Sequence, residues 1–262
     1  MTHRDLLFLA RFCLGSNRVL KHLLALRPAP EGRIPNREKT VTPDMDVCIE
    51  GFPNSANTFM MHVVQTWNPD ARLAHHVHVP LQLILAAEYG IPAVALIREP
   101  ADAVTSIRVK NGRLSASSLL WVYEAFYGRI IPFARDLVFA NFDDVTRSPD
   151  ETVVRINEKY HKRLNYRRYD AAEKERIFAE INAEKVPKVP RSDEEIERRR
   201  RIRRGVTEDP RYPGCLNLYQ TITAKYCGPS SPTADRTRPA ATGQPPRAVE
   251  QDAFDRTMVI GR

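Results

Sequence analysis

Residues 47–59 constrain the fold of this chain more than any other stretch of it. They read VCIEGFPNSANTF: an apolar run that ends in Gly-Phe-Pro, a short loop of small polar residues, and then a helical pattern. This order predicts a buried strand, a tight loop and the N-terminus of a helix. Backbone N–H groups and the positive end of the helix dipole then converge on one point, which suits a bound phosphate. The alternative is an ordinary strand-to-helix turn capped by Ser55 or Asn57.

Strand-like and helix-like segments alternate along the middle of the chain. The strand-like runs are 47–52, 73–76, 93–97 and 137–142, and the helical patterns are 56–67, 80–89, 101–110, 115–135 and 149–161. Such alternation indicates a parallel sheet with helices on its faces, so we expect a three-layer α/β/α fold with a central parallel sheet. Ligands of these sheets bind at the carboxyl ends of the strands, where the loops at 53–58 and 98–106 begin.

Composition divides the chain into three parts. Residues 1–42 predict a helical lead-in and a loop, residues 43–227 the α/β domain, and residues 228–262, rich in Pro, Ser, Thr and Arg, a disordered tail. The apolar run at 6–10 is too short to span a bilayer. We expect the N-terminal segment to be a basic amphipathic helix that packs on the domain, with peripheral contact to an anionic membrane as the alternative.

Charge and cysteine content narrow the class of partner. Lys and Arg number 40 against 32 Asp and Glu, a formal charge of +8 that favours anionic partners or a solvated basic surface. Nucleic acid is not expected, because no aromatic residues interleave with the basic run at 198–205. The four cysteines show no C-x-x-C spacing, which disfavours a disulfide framework and is compatible with a cytoplasmic location.

The first loop lacks two common nucleotide motifs. It contains neither G-x-x-x-x-G-K-[ST], which marks nucleoside triphosphate loops, nor G-x-G-x-x-G, which marks dinucleotide-binding folds. A second element, ALIREPADAVTS at 95–106, places Arg98 at the end of a strand and Ser106 about two helical turns further on. A guanidinium and a hydroxyl placed in this way can hold a second phosphate. The alternative is an Arg–Glu surface pair and a serine that faces solvent.

A third element is a group of histidines. His75, His76 and His78 precede Pro80 in LAHHVHVPLQLIL. We expect no metal, because no Cys, His or acidic residue with ligand spacing accompanies them. A neutral imidazole at the end of a strand, beside a phosphate loop, can instead serve as a general base. A purely structural role is expected for at least one of the three.

Together these elements resemble the sulfotransferase family that uses 3′-phosphoadenosine 5′-phosphosulfate (PAPS), and the resemblance covers residues 46–161. The residues that resemble the family's 5′-phosphosulfate loop are Pro53, Asn54, Ser55, Ala56, Asn57 and Thr58, followed by Phe59. Arg98 and Ser106, in an R-x-P-x-D-A-x-x-S context, match the family's 3′-phosphate site. His78 resembles the base of the His-x-Pro motif of cytosolic members, and Arg203, Arg204 and Gly205 loosely resemble their Arg-Lys-Gly.

The resemblance implies an enzyme that moves a sulfuryl group from PAPS to a hydroxyl or amine of a carbohydrate, lipid or small-molecule acceptor, without a metal. It gives His78 the role of base. The loop N–H groups, with Ser55 and Thr58, would hold the 5′-phosphate, and Phe59 would pack against adenine.

Asn54 departs from the family pattern, which has Lys or Arg at this catalytic position. Three explanations stay open: His76 or an arginine of the basic run supplies the charge, the enzyme is slow, or the protein only binds the nucleotide. An NTP-dependent phosphotransferase is a further alternative. Ala56 replaces a glycine of the pattern, a change that is tolerated where φ is negative.

Overall fold

A computed structural model describes residues 3–18, 36–183 and 192–228 of the chain. Within these residues a four-stranded parallel sheet has the order β2-β1-β3-β4. Its strands are β1 (Val47–Gly51), β2 (Leu73–His75), β3 (Ala93–Ile97) and β4 (Val138–Asn141). In the register of β1 with β3, Gly51 lies opposite Leu96. A Cβ on Gly51 would lie 2.3 Å from the carbonyl oxygen of Leu96, so only glycine fits at the end of β1.

Helices follow the strands and cover the sheet. They are α1 (His3–Gly15), α2 (Asn36–Lys39), α3 (Asn57–Trp67), α4 (Pro80–Glu88), α5 (Pro100–Lys110), α6 (Ala116–Ile130), α7 (Phe142–Arg147), α8 (Pro149–Tyr160), α9 (Ala171–Ala183), α10 (Asp193–Thr207) and α11 (Tyr212–Tyr226). Proline begins α4, α5 and α8, because its fixed φ suits the first helical position and its missing N–H costs nothing there.

Each face of the sheet carries its own hydrophobic core. Cys48, Ala95 and Phe139 pack on one face with residues of α4, α5, α6 and α11. Ile49 and Leu96 pack on the other face with residues of α3, α8 and α9. Successive strand residues point to opposite faces, so a strand buried on both sides reads as one continuous apolar run. The expected three-layer α/β/α fold with a central parallel sheet is confirmed.

The helices differ from the sequence prediction in four places. The helix expected at 115–135 ends at Ile130 and continues as the 3₁₀ helix Ile131–Asp136, because Pro132 has no N–H for an α-helical hydrogen bond. Three helices were not predicted: α2, which lies in the expected loop, α7, which begins at the predicted end of the fourth strand, and α11. Cys215 and Ile222 of α11 are fully buried against the sheet core.

At the N-terminus, α1 packs on α6. The buried Asp5 accepts a hydrogen bond from the Ser115 N–H at 2.9 Å, and Phe12 contacts Trp121 edge-on with ring centroids 6.0 Å apart. Residues 19–35, 184–191 and the tail 229–262 lie outside the described residues, so a disordered tail stays a prediction. Of the helices that are described, none is long and apolar enough to cross a bilayer.

Candidate functional site

The loop between β1 and α3 contains two residues with left-handed backbone. Asn54 has φ 65° and Ala56 has φ 71°, and the Asn57 Nδ2 group donates to the Phe52 carbonyl oxygen at 3.2 Å. Among the described residues, no side chain caps the start of α3. The first N–H groups of a helix have no intrahelical partner, so an uncapped start directs donors at the loop. The alternative of a turn capped by Ser55 or Asn57 is therefore not what the structure shows.

Alanine replaces glycine without strain only where φ is negative, and the φ of Ala56 is positive. Left-handed backbone costs an alanine about 1–2 kcal/mol, and part of this is offset by the larger unfolded-state entropy of glycine. We therefore expect Ala56→Gly to raise the free energy of unfolding by roughly 0.5–1 kcal/mol in urea denaturation. The matched control is Ala103→Gly inside α5, which should lower it by about 1 kcal/mol. Equal losses in the two variants would show that position 56 carries no such strain.

Two cations converge on Asn54. The Arg98 Nη1 group donates to the Asn54 carbonyl oxygen at 3.1 Å, and Lys110 Nζ donates to the Asn54 Oδ1 at 2.8 Å. Sequence reasoning did not single out Lys110. The available signal was its position at the end of the same helix as Ser106, four residues later, where side chains of a helix share one face. One cation thus contacts the backbone of Asn54 and the other contacts its uncharged side chain.

Arg98 and Ser106 are both buried, with 2% and 6% of their surfaces exposed. The Arg98 guanidinium stacks over the Phe142 ring at 3.9 Å from its centroid. The Ser106 Oγ accepts a hydrogen bond from Arg199 Nη2 at 3.2 Å. These positions exclude the alternative of a surface Arg–Glu pair and a solvent-facing serine. They leave a buried guanidinium on the segment that joins β3 to α5 and a hydroxyl–guanidinium pair between α5 and α10.

The basic run forms α10, which packs along α5. Arg203 binds the start of α5, with its Nε 3.0 Å from Asp102 Oδ1 and its Nη2 3.4 Å from Glu99 Oε2. Arg204 and Gly205 are exposed. The nucleotide contact expected of Arg203, Arg204 and Gly205 stays a prediction, but the basic side chain that reaches Ser106 is Arg199. The resemblance to an Arg-Lys-Gly motif pointed to residues 203–205 and did not indicate Arg199.

Glu50, read as part of an apolar strand, organises the histidine segment. Its side chain is fully buried, and its two oxygens accept the N–H groups of Val77 at 2.6 Å and His78 at 3.1 Å. Burial raises the pKa of Glu50 to about 8, against the opposing effect of these hydrogen bonds. The sequence feature that could have indicated this role is that Glu50 is the one acidic residue in an otherwise apolar run. Glu50 thereby fixes a segment in which both His76 and His78 have left-handed backbone.

His78 has the geometry of a neutral base. Its Nδ1 lies 3.0 Å from the Gly51 carbonyl oxygen, so the tautomer inferred from this contact carries its hydrogen on Nδ1 and a lone pair on Nε2. Burial lowers the pKa of His78 to about 4, although the bond to Gly51 opposes this shift. The side chain keeps 21% exposure. The lowered pKa keeps His78 neutral at physiological pH, and its side chain remains partly exposed.

The other two histidines connect to the loop. His76 Nε2 lies 2.9 Å from Thr58 Oγ1, and His76 Nδ1 lies 2.6 Å from His75 Nδ1. Within the ranges that the structure describes, His, Cys, Asp and Glu form no group of three that could hold a metal. His76 thus contacts Thr58 of the loop, while Arg98 and Lys110 are the cations that contact Asn54.

Phe59 lies in the core between α3 and α9 and not at the loop. It is fully buried, and its ring packs 5.7 Å from Phe178 and 5.9 Å from Tyr169. The ring is enclosed by this core and is not exposed at the loop. The geometry argues against the expected contact with adenine.

No protein-family model, no curated protein and no solved structure matches this chain. The resemblance to PAPS-dependent sulfotransferases therefore rests on the quoted residues alone.

Proposed function

We propose that this protein is a sulfotransferase that moves a sulfuryl group from PAPS to a hydroxyl or amine of a carbohydrate, lipid or small-molecule acceptor. One observation carries the proposal: the uncapped start of α3 and the buried guanidinium of Arg98 meet at the left-handed loop that follows β1. Helix donors and a buried cation at one point favour a multiply charged anion over any neutral ligand.

The donor would lie across two parts of this edge of the sheet. The loop N–H groups, with Ser55 and Thr58, would hold the 5′-phosphosulfate. Ser106 would hold the 3′-phosphate with Arg98, as the sequence predicts, and with Arg199, which donates to the Ser106 hydroxyl at 3.2 Å. A guanidinium binds phosphate oxygens with strong, charge-assisted hydrogen bonds.

His78 would act on the acceptor side. Its Nε2 takes the acceptor proton while the acceptor oxygen or nitrogen bonds to sulfur. The bond between sulfur and the bridging oxygen breaks, and its electron pair stays on the 5′-phosphate of the leaving adenosine 3′,5′-bisphosphate. The depressed pKa keeps the imidazole unprotonated at neutral pH, as a general base must be, although it also makes the imidazole a weaker base than an ordinary histidine.

Two measurements test the proposal. Calorimetry should show tighter binding of adenosine 3′,5′-bisphosphate than of ATP with Mg²⁺, and labelled PAPS should transfer its sulfuryl group to a member of an acceptor panel. Tighter binding of ATP with Mg²⁺ would instead support a phosphotransferase. Binding of the bisphosphate without any transfer would support the second candidate, a catalytically impaired binding protein, which the uncharged side chain of Asn54 favours.

The contact between Arg199 and Ser106 predicts which arginine of α10 binds the nucleotide. We expect Arg199→Ala to weaken binding of adenosine 3′,5′-bisphosphate about tenfold or more, because a hydrogen bond to a charged group contributes about 1.5–3 kcal/mol. Arg200→Ala is the matched control, since this neighbouring side chain is 73% exposed and pairs with Glu197 at 3.6 Å. Equal losses measured by calorimetry would mean that only the overall charge of α10 matters.

A further inference from the structure

We propose that Lys110 supplies the positive charge that position 54 lacks, and that it stabilises the leaving 5′-phosphate during sulfuryl transfer. The inference rests on the proposed function and extends it to a residue outside the loop. It starts from one contact, between Lys110 Nζ and Asn54 Oδ1 at 2.8 Å.

The transfer step creates a need for charge at this loop. When the bond between sulfur and the bridging oxygen breaks, its electrons remain on that oxygen. Helix N–H groups and the Asn54 amide can donate hydrogen bonds to it, but none of them carries a full charge. The other cation at the loop, Arg98, is buried against the Phe142 ring and donates to the Asn54 carbonyl oxygen. A donor placed where charge develops in the transition state contributes about 10²–10³-fold in rate, and a cation is the strongest form of such a donor.

The fold brings the ammonium of Lys110 to this place. Ser106 and Lys110 are four residues apart on α5, so they share one helix face, and the buried Ser106 orients that face. The last turn of α5 has a second basic residue, Arg108. Its Nε donates to the Leu114 carbonyl oxygen at 3.2 Å, so Arg108 is directed to another loop and Lys110 is the residue that reaches Asn54.

The side chain of lysine suits this role mechanically. Its ammonium has three donors on a flexible four-carbon stem, so Nζ can keep the bond to Asn54 Oδ1 and donate another hydrogen to the bridging oxygen. Lys110 remains protonated throughout, because the acceptor proton goes to His78. Asn54 then positions the cation that a basic residue at 54 would itself provide.

The test uses hydrolysis of labelled PAPS, in which water is the acceptor and no natural acceptor is needed. We expect Lys110→Ala to lower the hydrolysis rate by about 10²–10³-fold, while affinity for adenosine 3′,5′-bisphosphate changes far less. The double variant Asn54→Lys/Lys110→Ala should recover most of the rate. Lys159→Ala is the matched control, since Lys159 also lies exposed in the last turn of a helix, and it should leave the rate unchanged.

Each contrary outcome has a distinct meaning. An unchanged rate in Lys110→Ala overturns the role of Lys110. If Lys110→Ala lowers the hydrolysis rate and Asn54→Lys does not restore it, the role of Lys110 is to stabilise the loop. This outcome also overturns the proposal. Wild-type protein that binds the bisphosphate but hydrolyses no PAPS contradicts catalysis by Lys110 and leaves the nucleotide site intact. Absence of bisphosphate binding refutes the proposed function itself.

Discussion

Replacing His78 with asparagine should lower the rate of sulfuryl transfer by about 10²–10⁴-fold, the usual contribution of a general base. Asparagine is chosen because it tolerates the left-handed backbone at this position, where φ is 57°. Its amide can also donate to the Gly51 carbonyl oxygen, which His78 contacts at 3.0 Å. The substitution therefore removes the proton acceptor and keeps the backbone. Steady-state kinetics with labelled PAPS would measure kcat, and calorimetry would show an unchanged affinity for adenosine 3′,5′-bisphosphate.

The same substitution at His161 provides the matched control. His161 also has left-handed backbone, with φ 51°, but it is exposed at the C-terminal end of α8. We expect His161→Asn to leave kcat unchanged. A transfer rate that is equally insensitive to His78→Asn would exclude His78 as the base.

The pH profile of the wild-type protein gives a second readout of His78. Because its pKa is lowered to about 4, kcat/KM should stay level as the pH falls from 7.5 to 5.5, where an ordinary histidine becomes protonated. A decline centred near pH 6.5 would show that the essential base has an unshifted pKa.

Local sequence patterns predicted most of the fold. The bounds of β3, Ala93–Ile97, agree with the predicted strand, and α3 and α5 begin within one residue of the predicted helices. These elements are encoded locally, by buried apolar runs, helical periodicity and a proline at the first helical position. The position of Arg98, directly after the end of β3, was likewise predicted, whereas its burial was not.

Other features of the candidate site depend on tertiary packing. Lys110 meets Asn54 across 56 residues of sequence, and Arg199 meets Ser106 across 93. Both side chains are long and belong to helices, so the contact is set by how the helices pack and not by local pattern. The positive φ of Ala56 has a similar origin, because a strained backbone is held by the structure around it.

Buried ionisable groups near the loop should give the protein a stability maximum near pH 6.5. Burial lowers the pKa of both His75 and His78 from 6.5 to about 4. Below pH 6.5 the unfolded chain binds protons that the native state excludes, so the free energy of unfolding falls as the pH falls toward 4. Burial raises the pKa of Glu50 from 4.5 to about 8. From pH 4.5 to 8 the native state therefore retains a proton that the unfolded chain has lost. The two histidines outweigh this effect below pH 6.5, and above pH 6.5 stability falls as the pH rises.

The loss of stability above pH 6.5 is due to Glu50. One proton corresponds to about 1.4 kcal/mol per pH unit, but Glu50 is half ionised at pH 8 and the unfolded histidines still bind some protons just above pH 6.5. The free energy of unfolding should therefore drop by about 1 kcal/mol between pH 6.5 and 8. Urea denaturation at the two pH values measures this drop. Glu50→Gln should abolish it, because glutamine cannot titrate, whatever the variant's absolute stability.

Glu173→Gln is the control for the role of Glu50. Burial alone would raise the pKa of Glu173, but hydrogen bonds from Arg176 and Trp67 lower it below its ordinary value. Glu173 is therefore ionised in both states throughout this range, and its loss leaves the drop in place. A wild-type free energy of unfolding that stays level from pH 6.5 to 8 would mean that Glu50 already ionises below pH 6.5. Its carboxylate would then be stabilised by the Val77 and His78 N–H groups more strongly than burial destabilises it.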